Sequence, residues 1–277
     1  MAPTLPLTGT GLRYTESHQG DPGRVPVLLL HPWFGCRAFW DRTAEQLAAP
    51  TVAVDWYSLS DGDWAPWASP ERLAEAVIVL LDTMEVPQVD VVGNSVGGIV
   101  AQLLAARHPE RVHRLALVGT GASLDGPPSQ FGELVTAWVE GAANRRELAP
   151  RMVDALVACP LPRADRHEYV RAVLDADPDF ISAVLVAARR LDLRPELSRI
   201  TAPTLILRGE LDSARSPDHV TELLHGIPDS RAVEIPGCGH SPMIERPGLF
   251  NALVEGHLML GAASSGPKIP STTKKWK

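Results

Sequence analysis

Lysine is almost missing from this chain. The first 267 residues carry 22 arginines and no lysine, and Lys268, Lys274, Lys275 and Lys277 all lie in the last ten positions. The net charge is −7 over 277 residues, and no stretch is dense enough in cations to neutralise a run of phosphates, which argues against nucleic acid as a partner. Cysteine is scarce as well. Cys36, Cys159 and Cys238 are odd in number and stand at no metal-ligand spacing, so neither a disulfide framework nor a zinc site is expected. Long hydrophobic runs are absent: Val25–Leu30 and Ala76–Leu81 fall far short of the ~20 residues a membrane span needs. Met1–Thr10 has neither the basic start nor the apolar stretch of a secretory signal. These absences lead us to expect a cytoplasmic protein that does not engage a membrane. No repeat period of 20–50 residues is visible, which excludes a solenoid. Gly261–Lys277, rich in Ser, Thr, Gly and Pro and without apolar periodicity, reads as a disordered basic tail with no role of its own.

What is present is an ordinary globular composition, 45% hydrophobic and 21% charged, enough for one large domain carrying an insertion. Short apolar runs at Val25–Leu30, Thr51–Asp55, Val89–Val92, Leu115–Val118, Pro203–Arg208 and Ala232–Ile235 alternate with helical patterns at Pro70–Met84 and Ile99–Arg107. Such alternation predicts an α/β fold with a mostly parallel, doubly wound sheet, because parallel strands are buried on both faces and need helical crossovers. An antiparallel hairpin is expected around Gly11–Glu16. From Ser123 to Leu197 no strand is evident, and apolar residues recur at helix spacing: Leu134, Val135, Trp138; Met152, Leu156, Val157; Val170, Val173, Leu174; Ile181, Val184, Leu185. One crossover needs only one helix, so residues 123–197 are expected to form an all-helical cap inserted into a core of 1–122 and 198–260.

The chemistry is concentrated in three short motifs. Gly93-Asn94-Ser95-Val96-Gly97-Gly98 follows an apolar strand and precedes a helix. A serine there is held on a sharp turn with its hydroxyl exposed, and glycines on either side let strand and helix close together. Gly209-Glu210-Leu211-Asp212 and Gly237-Cys238-Gly239-His240 each follow a later strand, which brings an acid and an imidazole to the same sheet edge. Serine, aspartate, histidine in that order is one known arrangement of a nucleophilic triad. Ser95 would attack, His240 would carry its proton, and Asp212 would hold the imidazole. Asp218 follows Pro217 and reads as a helix start. Asp125 lies several residues past its strand. His31 reads as a loop organiser, and Cys238 as a small packing residue.

These motifs, together with Leu28-Leu29-Leu30-His31-Pro32-Trp33-Phe34-Gly35, resemble the α/β-hydrolases over about Leu12 to Leu260. The resemblance implies catalysis without cofactor or metal, and an oxyanion hole of two backbone amides: Val96, just after the nucleophile, and Trp33, with Phe34 as second choice. The chain departs from the family pattern in having His31-Pro32 where His-Gly is usual. It also carries Asp55-Trp56-Tyr57-Ser58-Leu59-Ser60-Asp61-Gly62 in place of a glycine-rich Asp-x-x-Gly-x-Gly-x-Ser. Trp33, Phe34, Trp56, Tyr57, Trp64 and Trp67 cluster in two loops at that edge although aromatics are only 5% of the chain. They either line a pocket for a flat or apolar acyl group or pack the cap onto the core. Phe34, Asn94 and Trp56 are the expected substrate contacts. The leading expectation is a serine hydrolase acting on a small, largely apolar or aromatic ester or lactone. Asn94 resembles the residue before the nucleophile in relatives that hydrolyse carbon–carbon bonds, so a cofactor-free C–C hydrolase, lyase or cyclase is the alternative. A non-catalytic small-molecule receptor is the third reading.

Overall fold

The apolar runs become strands, with boundaries moved by proline and by turn chemistry. A computed structural model describes residues 11–124, 129–141 and 144–260. The expected tail at 261–277 and the rival acid Asp125 lie outside the described residues. The strands are β1 (Arg13–Ser17), β2 (Val27–Leu30), β3 (Thr51–Asp55), β4 (Val89–Asn94), β5 (Val112–Val118), β6 (Thr204–Gly209) and β7 (Ser230–Ile235). They form one sheet in the order β1-β3-β2-β4-β5-β6-β7. Every pairing is parallel except β1 with β3. The expected N-terminal hairpin is therefore corrected: β1 runs antiparallel to β3, Arg13 opposite Asp55, and does not pair with its neighbour in sequence. Every residue of β2, β4 and β6 is buried, as strands covered on both faces should be.

The helices are α1 (Asp41–Gln46), α2 (Pro70–Thr83), α3 (Val96–Arg107), α4 (Gln130–Val139), α5 (Arg145–Asp154), α6 (Arg163–Asp175), α7 (Pro178–Ala188), α8 (Pro217–Gly226), α9 (Pro242–Glu245) and α10 (Pro247–Leu258). Helix α2 starts where its sequence permits: Ser69 accepts the Arg72 amide as N-cap, and Pro70 occupies the first turn, where its missing N–H has no cost. Helix α3 is buried from Val96 to Ala106, so it serves as the inner wall behind the sheet's centre. Helices α4–α7 occupy the segment expected to be a cap. Its two ends are tied together by a bridge of Ser123 with Asp192 and by the Leu193 amide on Ala122 O at 2.8 Å. Their mutual faces bury Leu134, Trp138, Met152, Val153, Phe180 and Val184. On α6 the buried face is Tyr169 and Val173, whereas Leu174, expected inside, is 39% exposed.

Candidate active site

The β4–α3 turn sets Ser95 in a backbone conformation that only tight surroundings maintain, φ 56° and ψ −116°. Those surroundings are visible. A Cβ on Gly93 would meet Gly97 O at 2.4 Å, and one on Gly97 would meet Leu30 O at 2.3 Å, so strand, turn and helix approach more closely than any side chain allows. The Ser95 amide donates to Val118 O at 2.9 Å, and Thr120 Oγ1 donates to Ser95 O at 2.8 Å. Ser95 itself is 6% exposed.

Asp212 lies in the loop after β6, and His240 in the loop after β7. The His240 Nδ1 lies 2.9 Å from Asp212 Oδ2 and 3.0 Å from Oδ1. The amides of Ala214 and Arg215 donate to Oδ1 at 2.8 and 3.0 Å, which fixes the carboxylate plane. Burial would raise the Asp212 carboxyl, but the neighbouring His240, its hydrogen bonds and the Arg215 charge outweigh burial and hold it below the usual carboxylate range. With the Nδ1 proton directed at Asp212, Nε2 of the neutral ring is left as an acceptor. It is buried and has no hydrogen-bond partner among the described residues. No hydrogen bond joins it to Ser95 in this resting geometry; such contacts commonly tighten only around substrate. The Phe131 ring of α4 stands over His240 at 6.0 Å between centroids.

The loop 31–35 is braced from beneath. His31 Nδ1 bonds Pro32 O at 2.9 Å. Its Nε2 accepts the Trp56 amide at 3.1 Å, and Trp56 Nε1 donates back to His31 O at 3.1 Å. Burial draws the His31 pKa down to about 4, so the ring stays neutral and serves the loop. Phe34 sits at φ 62°, and its amide is taken by Tyr57 Oη at 3.0 Å. That contact removes the second-choice oxyanion donor. The amides of Trp33 and Val96 make no hydrogen bond among the described residues, the latter because the first amides of a helix have no intrahelical acceptor.

A cavity of about 780 Å³ opens against Ser95, Val96, Trp33 and Phe34 on one side, Asp212–Pro217 on another, and α4 with Leu185 above. Two expected substrate contacts do not reach it. Trp56 is wholly buried under the 31–35 loop by its bonds to His31. Asn94 Nδ2 donates to Val118 O at 2.9 Å and His240 O at 3.1 Å, so it ties the histidine loop to β5 and faces no ligand space. Phe34 does line the cavity. The aromatic cluster divides accordingly. Trp33 and Phe34 line the cavity and also contact the helices above it: Trp33 Nε1 donates to Ile181 O at 3.1 Å, and Phe34 meets Trp138 edge-on at 5.1 Å. Trp64 only fastens α7, through Asp177 at 3.0 Å. Sequence reasoning missed Phe131 and Arg215, which no local pattern marks, and the Tyr57 hydroxyl's hold on Phe34.

Comparison with known proteins points to one family. Over 257 residues the chain is 32% identical to a pimeloyl-[acyl-carrier protein] methyl ester esterase of Neisseria meningitidis serogroup A, covering 87% of this chain and 80% of that one. It is 28% identical over 262 residues to a 2-hydroxy-6-oxononadienedioate/2-hydroxy-6-oxononatrienedioate hydrolase of Paraburkholderia xenovorans, covering 88% and 89%. An esterase structure from Exiguobacterium antarcticum superimposes with a TM-score of 0.80 at 20% identity, covering 93% of this chain and 99% of that one, a likeness of fold. With the alpha/beta hydrolase family matching residues 27–253, and the sheet order and strand-to-helix turn described above, this chain belongs to the alpha/beta hydrolases.

Proposed function

We propose that the chain is a serine hydrolase of small, largely apolar or aromatic esters or lactones, working through an acyl-enzyme on Ser95. The observation that carries this reading is the buried Asp212–His240 pair: Asp212 lines the same cavity as Ser95, and His240 Nε2 has no hydrogen-bond partner among the described residues. Substrate seated there completes the missing Ser95–His240 contact. Ser95 Oγ adds to the ester carbonyl as its proton passes to His240 Nε2. The carbonyl oxygen, now anionic, is held by the free amides of Trp33 and Val96, each worth roughly 3 kcal/mol in such sites. Collapse expels the alcohol, which takes the proton from His240. Water then repeats the sequence on the acyl-enzyme, releasing the acid and restoring Ser95. Asp212 stays ionised throughout and stabilises the imidazolium. Helices α4–α7 act as the cap that keeps bulk water from the acyl-enzyme. The free cysteines suit a reducing cytoplasm.

A carbon–carbon hydrolase reading draws on relatives such as the Paraburkholderia xenovorans hydrolase, but Asn94, the residue that suggested it, is engaged by Val118 and His240 and offers a diketone nothing. Turnover of short p-nitrophenyl esters tests the proposal. Ser95→Ala should lower kcat by about 10⁴-fold or more at an unchanged melting temperature. Residual turnover within tenfold of the parent would remove Ser95 from the mechanism.

A further inference from the structure

Three arginines line the cavity: Arg189, Arg208 and Arg215. Their situations differ. Arg208 is fully engaged, with Glu234 at 3.0 Å, Arg215 O at 2.8 Å and Asp212 O at 3.3 Å. Arg189 is exposed and donates to Thr136 Oγ1 of α4 at 3.0 Å; Glu133 of that helix and Glu140, just past its end, line the same space. Arg215 is the exception. Its Nη1 donates to the neighbouring Ala214 O at 2.8 Å, and Nε is buried without a partner among the described residues. No carboxylate comes within ion-pair distance among the described residues. Burial draws its pKa down, with only the charge of Asp212 opposing. Asp212 is an unsuitable counter-ion, because His240 and two amides already occupy its oxygens. A half-buried guanidinium on the wall of the cavity, with no anion of its own among the described residues, is a receptor for one supplied by the ligand.

We infer that Arg215 docks a carboxylate on the substrate, so that the preferred esters are half-esters of dicarboxylic acids. This rests on the proposed ester hydrolysis at Ser95 and narrows it. The carboxylate meets the guanidinium, and the uncharged ester end is left to Ser95, between Trp33 and Phe34.

The test compares monoethyl adipate with ethyl hexanoate, and monoethyl suberate with ethyl octanoate. Each pair differs only in a terminal carboxylate for a methyl group. In the parent enzyme kcat/KM for at least one half-ester should exceed its neutral partner at least tenfold. Arg215→Met should lower that ratio at least tenfold, and Arg215→Lys, which keeps the charge without the fork, should fall between. A parent that disfavours both half-esters, or a ratio unmoved within twofold in both variants, overturns the inference. Equal losses on charged and neutral esters would do so too, since they would mean Arg215 acts through Asp212. Should Arg215→Met not fold, the parent ratio and Arg215→Lys decide. Binding provides a second readout: calorimetry on Ser95→Ala should find monoethyl adipate bound at least tenfold tighter than ethyl hexanoate, and Arg215→Lys in that background should weaken the preference. Loss of turnover in Ser95→Ala without any charge preference would sink the Arg215 inference alone. Persistent turnover in Ser95→Ala would sink the catalytic reading, leaving the binding preference to stand or fall by itself.

Discussion

At the scale of single residues, the site depends on side chains whose partners leave them one option. The carboxylate of Asp212 accepts two amides and the His240 proton, so it dictates which imidazole nitrogen is bare. Asp212→Asn would present an amide to Nδ1, favour the other tautomer and put a proton on the nitrogen that the proposed mechanism needs bare. We expect kcat to fall by about 10⁴-fold with the fold intact, read from steady-state rates alongside near-ultraviolet circular dichroism. Tyr57 offers a milder case. Its hydroxyl is the acceptor for the buried Phe34 amide, and Tyr57→Phe leaves that amide unsatisfied. The expected cost is about 1–3 kcal/mol, measurable as a lower urea midpoint; an unchanged midpoint would show that the amide finds another acceptor. Asn94 and Trp56 teach the limits of proximity in sequence. Asn94 adjoins the candidate nucleophile and Trp56 lies in the aromatic loops, yet each is turned inward by hydrogen bonds that adjacency does not reveal.

Elements meet where glycine permits it. The first turn of α3 lies against the end of β2 so closely that a Cβ on Gly97 would stand 2.3 Å from Leu30 O and 2.8 Å from His31 O. Gly97→Ala should push the helix from the strand, costing about 3 kcal/mol and shifting the 31–35 loop together with the Trp33 amide. Gly248 in α10 is a control of the same chemistry, since a Cβ there meets nothing within 4 Å. Gly248→Ala should leave stability unchanged or improve it by up to about 1 kcal/mol. Denaturant unfolding of the two variants checks the contrast, and similar midpoints would mean that the helix yields freely. Helices α4–α7 were legible as helices from their 3.6-residue spacing. Which face of α6 goes inside was not, because Val170, Val173 and Leu174 suit either of two stripes until α5 selects one.

For the molecule as a whole, acid is the expected weakness. His31 and His257 are both held neutral by burial, with pKa values near 4, against about 6.5 in an unfolded chain. Between those values the unfolded chain binds protons that the folded one refuses, so stability falls as pH drops from about 6.5 towards 4. Each histidine contributes on the order of 3 kcal/mol to that loss. Urea midpoints taken at intervals from pH 7.5 to 4.5 should fall steadily below about 6.5. A flat profile would mean that one or both rings gain water or a partner on protonation.

Local chemistry is what the sequence by itself determined: the order of strands and helices, the Ser95 turn between a buried strand and a buried helix, and the loops that deliver Asp212 and His240. Apolar periodicity and glycine placement act over a few residues and are written in the chain. Tertiary structure alone decided which neighbours those loops would meet. It paired β1 with β3, turned Asn94 and Trp56 away from the cavity, assigned the Phe34 amide to Tyr57, and set Arg215 on the cavity wall with no carboxylate at ion-pair distance among the described residues. The physical reason is that hydrogen bonds and charge compensation are properties of three-dimensional neighbourhoods, which join residues far apart in the chain.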